Sequence, residues 1–140
     1  MKRKVNNIIA RIKRKKAVGI LYNMPEADQA ALHNKLLDGK HIVFNAQDAY
    51  TSVMLLYRLG SRLKMKGLSF DQLPGLIDGK IICITGADII KTSFAKVFDD
   101  SHKYRIPLLL LMNNGSKMTD IRKLPVYRRI FTIEQDYKTL

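Results

Sequence analysis

Across the first sixteen residues the apolar positions are Val5, Ile8, Ile9 and Ile12, the i, i+3, i+4, i+7 spacing of one helical face, with charges on the remaining turn. That predicts a short basic amphipathic helix whose stripe packs on the body or on a partner. "VGILYN" reads as a lead-in to a second helix over 25–38, with Pro25 at a first helical position, Glu26 and Asp28 in the first turn and Gly39 at the stop. From there the pattern alternates. "KHIVFN" (40–45) predicts a strand, 48–66 a long helix halted at Gly67, and "SFDQLPGLIDG" a linker. "KIICIT" (80–85) predicts a second strand, 88–104 a helix, and "IPLLLLMN" (106–113) a buried strand opened by proline. A short turn around Asp120 to Leu124 leads to a last strand, "RIFTIE" (129–134).

Strands alternating with helices, with strands apolar throughout, imply a parallel sheet covered on both faces. The expected fold is α/β, a three-layer sandwich with a small, mainly parallel sheet preceded by a basic N-terminal helix. The expected division is an arm over 1–20 and one domain over 21–140. A chain of 140 residues, 46% hydrophobic, can bury a sufficient core without disulfides or metal. Its one cysteine, Cys83, sits between isoleucines as a core residue. "VMLLYRL" and "IPLLLLM" are too short to span a bilayer, and the basic first residues are followed by charge, unlike a secretory signal. The expected location is cytoplasmic, host cytoplasm or virion if the source is viral.

Charge changes the picture most. The chain carries 25 Lys and Arg against 12 Asp and Glu, a formal +13. Eight of the bases (Lys2, Arg3, Lys4, Arg11, Lys13, Arg14, Lys15, Lys16) lie within residues 1–16, where no acid occurs. A polyanionic partner follows: nucleic acid first, DNA ahead of RNA, and an anionic membrane surface second. Arg58, Arg62 and Lys66 form a stripe at four-residue spacing, and Lys117, Arg122, Lys123, Arg128 and Arg129 cluster after the third apolar strand beside Tyr127. Such groups contact phosphates without reading sequence.

In a parallel sheet, ligands bind beyond the carboxyl ends of the strands. A phosphate loop, GxxxxGK[ST], laid after "KHIVFN" falls on Asn45 to Ser52. Asn45 can take a left-handed conformation in place of the first glycine, Tyr50 fills the second glycine's space, Thr51 replaces lysine and Ser52 keeps the hydroxyl. Asp48 adds a repulsive charge. With its strand-helix order, residues 40–134 resemble the core of P-loop ATPases, particularly the viral and phage enzymes that package or export DNA. The resemblance implies an Asp-Glu pair where "IICITGAD" has Thr85 and Gly86, with Asp88 two positions late. It implies a polar sensor at Asn113 or Asn114 and a downstream turn at Asp120 and Arg122. Since phosphoryl transfer depends on positioned charge, the missing lysine and carboxylates imply a site without ATPase activity and without a cofactor.

His33, His41 and His102 lie on three different elements without metal-ligand spacing, and Asp99 and Asp100, as helix neighbours, point about 100° apart. The expectation is therefore a noncatalytic domain that binds nucleic acid through basic surfaces. The alternative is an assembly subunit, an inactive member of an ATPase ring or a virion component, docked to a protein partner or to itself through the Ile8, Ile9, Ile12 stripe. A third is an enzyme whose site is not visible in the sequence.

Overall fold

The computed structural model describes residues 2–45, 79–86, 101–103, 105–112, 123 and 132–139. Among these are α1 (Lys2–Lys15), β1 (Val18–Tyr22), α2 (Glu26–Asp38), β2 (Ile42–Asn45), β3 (Ile82–Thr85), β4 (Leu108–Met112) and β5 (Thr132–Asp136). The strands form one sheet in the order β2-β3-β4-β1-β5, every pair parallel. The α/β fold expected from the alternating pattern is the fold observed.

"VGILYN" is more than a lead-in: its residues form β1, which pairs with β4 on one side and β5 on the other. A boundary at residue 20 therefore falls inside a central strand. All five β1 residues are buried, so the two-residue alternation that marks a half-exposed strand is absent. Of "RIFTIE", residues 129–131 lie outside the described residues; β5 is described from Thr132 and keeps its polar end, Glu134 to Asp136, in register with Ile20 to Tyr22.

One face of the sheet carries Leu21, Cys83, Leu109, Leu111 and Ile133, and the helices cover it with Val5, Ile8 and Ile12 of α1 and Leu32 and Leu36 of α2. The other face, including Ile20, Tyr22, Ile82, Ile84, Leu108 and Leu110, is buried as well. The stripe on α1 is thus spent on its own sheet, with Ile9 packed at the margin. Each such side chain contributes about 1.5–3 kcal/mol. Three together rival the roughly 5–15 kcal/mol net stability of a domain, so α1 is a structural element and not a removable arm.

Gly19 is what lets α1 approach. A Cβ there would lie 2.8 Å from Ile12 Cγ1, nearer still to Ile12 Cδ1, and 3.4 Å from Leu109 Cδ1. Only a residue without a side chain fits between helix and sheet.

The helices end in one repeated way. At α1, Lys16 N–H donates to Lys13 O (3.3 Å) and Ala17 N–H to Ile12 O (3.2 Å), with Lys16 left-handed at φ 48°. At α2, Lys40 N–H donates to Leu37 O (2.9 Å) and His41 N–H to Leu36 O (2.8 Å), with Lys40 at φ 60°. After the helical segment 101–103, Arg105 N–H donates to His102 O (3.2 Å) and Ile106 N–H to Ser101 O (2.8 Å), with Arg105 at φ 54°. Each is the paired 6→1 and 5→2 Schellman closure, whose left-handed position normally holds glycine. Gly39, expected to end α2, is the cap residue with an ordinary φ of −78°, and Lys40 takes the left-handed turn. The conformation costs a residue with a side chain about 1 kcal/mol.

Candidate nucleic-acid interface

The strand order fixes where each rim of the sheet lies. The chain leaves β1 toward the β2 edge and leaves β4 toward β5, so the direction of connection reverses between β1 and β4. The carboxyl ends of those two strands form the switch point at which open α/β sheets hold ligands. Asn23 N–H, donating to Met112 O at 2.9 Å, joins them there. β2 is an edge strand, so Asn45 stands away from the switch point. Asn45 is the last residue of β2, paired with Thr85, and the left-handed asparagine is instead Asn23, at φ 63°. Asp48, Tyr50, Thr51 and Ser52 lie outside the described residues, as do Asp88, Asn113, Asn114, Asp120 and Arg122.

The β1 side of the switch point is unfavourable to phosphate. A phosphate-loop pattern laid after β1 puts Asn23 and Asp28 at the glycines, Gln29 at the lysine and Ala30 at the hydroxyl. Pro25 caps α2 without an N–H to offer, and Glu26 and Asp28 bring negative charge to the end of the helix that would attract an anion. Polar groups at this rim satisfy one another. Asn23 Nδ2 donates to Asp136 Oδ2 (2.9 Å), Lys138 N–H to Asp136 Oδ1 (2.9 Å), Tyr137 Oη–H to Asp28 Oδ2 (3.3 Å) and Gln29 Nε2 to Met24 O (2.9 Å). Burial, then the charge of Asp28 and its hydrogen bond, raise the Tyr137 pKa. At the end of β3, Thr85 is buried and its hydroxyl donates to Phe44 O (3.2 Å), while Gly86 turns left-handed at φ 63°. Neither supplies a carboxylate.

The opposite rim is basic. Parallel strands all begin on one side, and the register pairs Val18, Leu108, Ile82 and Ile42 in a single row. Two residues ahead of that row stand Lys16 before β1, Lys80 before β3 and Lys40 before β2; three ahead of β4 stands Arg105. Lys16, Lys40 and Arg105 are exposed and Lys80 half-buried. The last turn of α1 adds Lys13, Arg14 and Lys15. Asp38, at the end of α2, is the acid of this rim among the described residues. At the carboxyl rim, among the described residues, Glu26, Asp28 and Asp136 stand against Lys138.

His41 registers the basic field. Its Nδ1 accepts Ile81 N–H at 2.8 Å, which requires the neutral ring. Burial, then Lys13 and Lys80, lower its pKa.

The bases expected to form one arm separate along α1. Arg11, Arg14 and Lys15 are exposed near its end, whereas Lys2, Arg3 and Lys4 begin the helix about 20 Å away at 1.5 Å per residue. Lys123 is exposed in a turn, and Arg58, Arg62, Lys66, Lys117, Arg128 and Arg129 lie outside the described residues. Lys40, Lys80 and Arg105 join the rim although no basic cluster in the sequence contains them. Their signal is a basic residue just ahead of each apolar run: "KHIVF", "KIICI", "RIPLLL".

No group of three or more His, Cys, Asp or Glu among the described residues could hold a metal, and no described helix is long and apolar enough to cross a membrane. Cys83 is buried, its thiol pKa pushed far up by desolvation. The fold and its charge define a parallel α/β domain with a basic amino rim. The chain matches no protein-family model, and no curated protein matches it.

Proposed function

We propose that this is a noncatalytic α/β domain, similar in layout to a P-loop ATPase without its site, that binds nucleic acid through basic surfaces. The carrying observation is the separation of charge among the described residues: bases at the amino ends of the strands, acids on the β1 side of the switch point where a nucleotide would otherwise sit. Excess positive charge on one rim attracts a polyanion and releases its counterions. Glu26 and Asp28, with Gln29 where a phosphate-binding lysine is needed, oppose a triphosphate. An anionic membrane is the weaker partner because the apolar stripe that would insert beneath headgroups is buried against the sheet. The assembly reading loses that same stripe.

The experiment is binding of duplex DNA and of RNA at several salt concentrations, with and without Mg-ATP. Expected are affinities falling by about 0.9 log unit per log unit of salt for each phosphate contact, no dependence on ATP and no phosphate release. Salt-independent binding, or ATP turnover, refutes the reading.

A further inference from the structure

Four described residues other than glycine adopt positive φ, and three of them, Lys16, Lys40 and Arg105, are long cations at helix ends that feed β1, β2 and β4. The fourth, Asn23, belongs to a type that enters this region readily. Lysine and arginine do not, and Schellman closures ordinarily use glycine. Where local preference is overridden repeatedly and in one direction, the reason lies in what the side chain does. Helix polarity is not that reason at α1, whose last turn already holds Lys13, Arg14 and Lys15, or at α2, which has Lys35.

The three corners share one rim. Across the order β2-β3-β4-β1 they stand with Lys80 in the sequence Lys40, Lys80, Arg105, Lys16, one cation per strand. At about 4.8 Å between strands the row is ~14 Å long. Over that axial length one strand of a duplex advances by about four nucleotides, at ~3.4 Å each along the axis, as its phosphates wind past the rim.

We infer that Lys16, Lys40 and Arg105, held left-handed at the helix-to-strand corners, form with Lys80 a row of phosphate contacts for the backbone of duplex DNA. The inference rests on the nucleic-acid reading above and assigns it to this rim. Because the contacts are to phosphate, the row carries no base preference.

The corner geometry makes the test specific. Glycine at each corner suits the backbone better while removing the cation, so stability and binding move in opposite directions. In the full chain, Lys16→Gly, Lys40→Gly and Arg105→Gly are made singly and together. Urea midpoints should hold or rise. The slope of log affinity against log salt for a 20-base-pair duplex should fall by about 0.9 per substitution, about 2.7 for the triple variant. Lys16→Arg and Lys40→Arg should keep the slope, and Lys138→Gln, which removes one charge at the carboxyl rim, should leave it unchanged.

An unchanged slope in the triple variant, with a reduced slope in Arg11→Gln/Arg14→Gln, overturns this inference and leaves the nucleic-acid reading standing. A lowered urea midpoint in the glycine variants overturns the premise that the corners oppose backbone preference. Wild-type protein that ignores the duplex but binds RNA overturns this inference alone; protein that ignores both, or prefers phosphatidylserine vesicles to both, overturns both readings.

Discussion

Substituting Gly19 by alanine tests whether α1 is part of the domain. The new methyl would meet Ile12 Cγ1 at 2.8 Å, with Cδ1 closer, and Leu109 Cδ1 at 3.4 Å. Overpacking of this kind costs about 1–3 kcal/mol, offset by about 0.4–1 kcal/mol from the stiffer unfolded chain. A net loss of about 1–2 kcal/mol is expected. Ile12 is fully buried, and Ile12→Ala alone should cost about 2–5 kcal/mol. In the double variant the methyl at 19 enters space that the shortened residue 12 has vacated. The pair should then be little worse than Ile12→Ala, a coupling of about 1–2 kcal/mol. Urea denaturation measures this, with a constant m-value showing that stability changed while the surface exposed on unfolding did not. Additivity within about 0.5 kcal/mol, or a Gly19→Ala protein as stable as wild type, refutes the docking of α1 on β1.

His41 supplies a pH signature. Its folded pKa is below 6.5, so its contribution is present above that value and lost as pH falls through the folded pKa. Urea midpoints between pH 7.5 and 5 should decline more in wild type than in His41→Asn, whose Oδ1 can still accept Ile81 N–H; equal declines refute the assignment. Asn23→Ala should cost about 2 kcal/mol, losing both a residue tolerant of φ 63° and the hydrogen bond to Asp136, as a shift of the thermal midpoint will show. Cys83 should resist a thiol reagent in the folded protein and react with it in urea, and rapid native labelling would contradict its burial.

The strands beginning at Ile42, Ile82 and Leu108 were legible because long apolar runs bounded by turn residues have few other readings. β1 was not: five residues containing glycine, directly after a charged helix, lack both length and alternation. That omission moved the expected ligand position, since counting "KHIVFN" as the first strand places the phosphate-loop pattern on a sheet edge. Strand order depends on contacts between residues far apart in sequence and carries no local pattern. The basic rim was hidden for the same reason. Lys16, Lys40, Lys80 and Arg105 are scattered through the sequence, and only parallel pairing brings them to one side.

β1 also constrains how the chain reaches its fold. Its partners begin at Leu108 and Thr132, so Val18 waits 90 residues for one neighbour and 114 for the other. Pairings of such sequence separation form slowly. Until then "VGILY" has two open edges in a nascent or refolding chain, a segment suited to pairing with the wrong molecule. The charges immediately ahead of it, Lys13 to Lys16, repel copies of the same segment and act as gatekeepers. Neutralising them should therefore raise aggregation during refolding even in variants whose finished structure is unchanged.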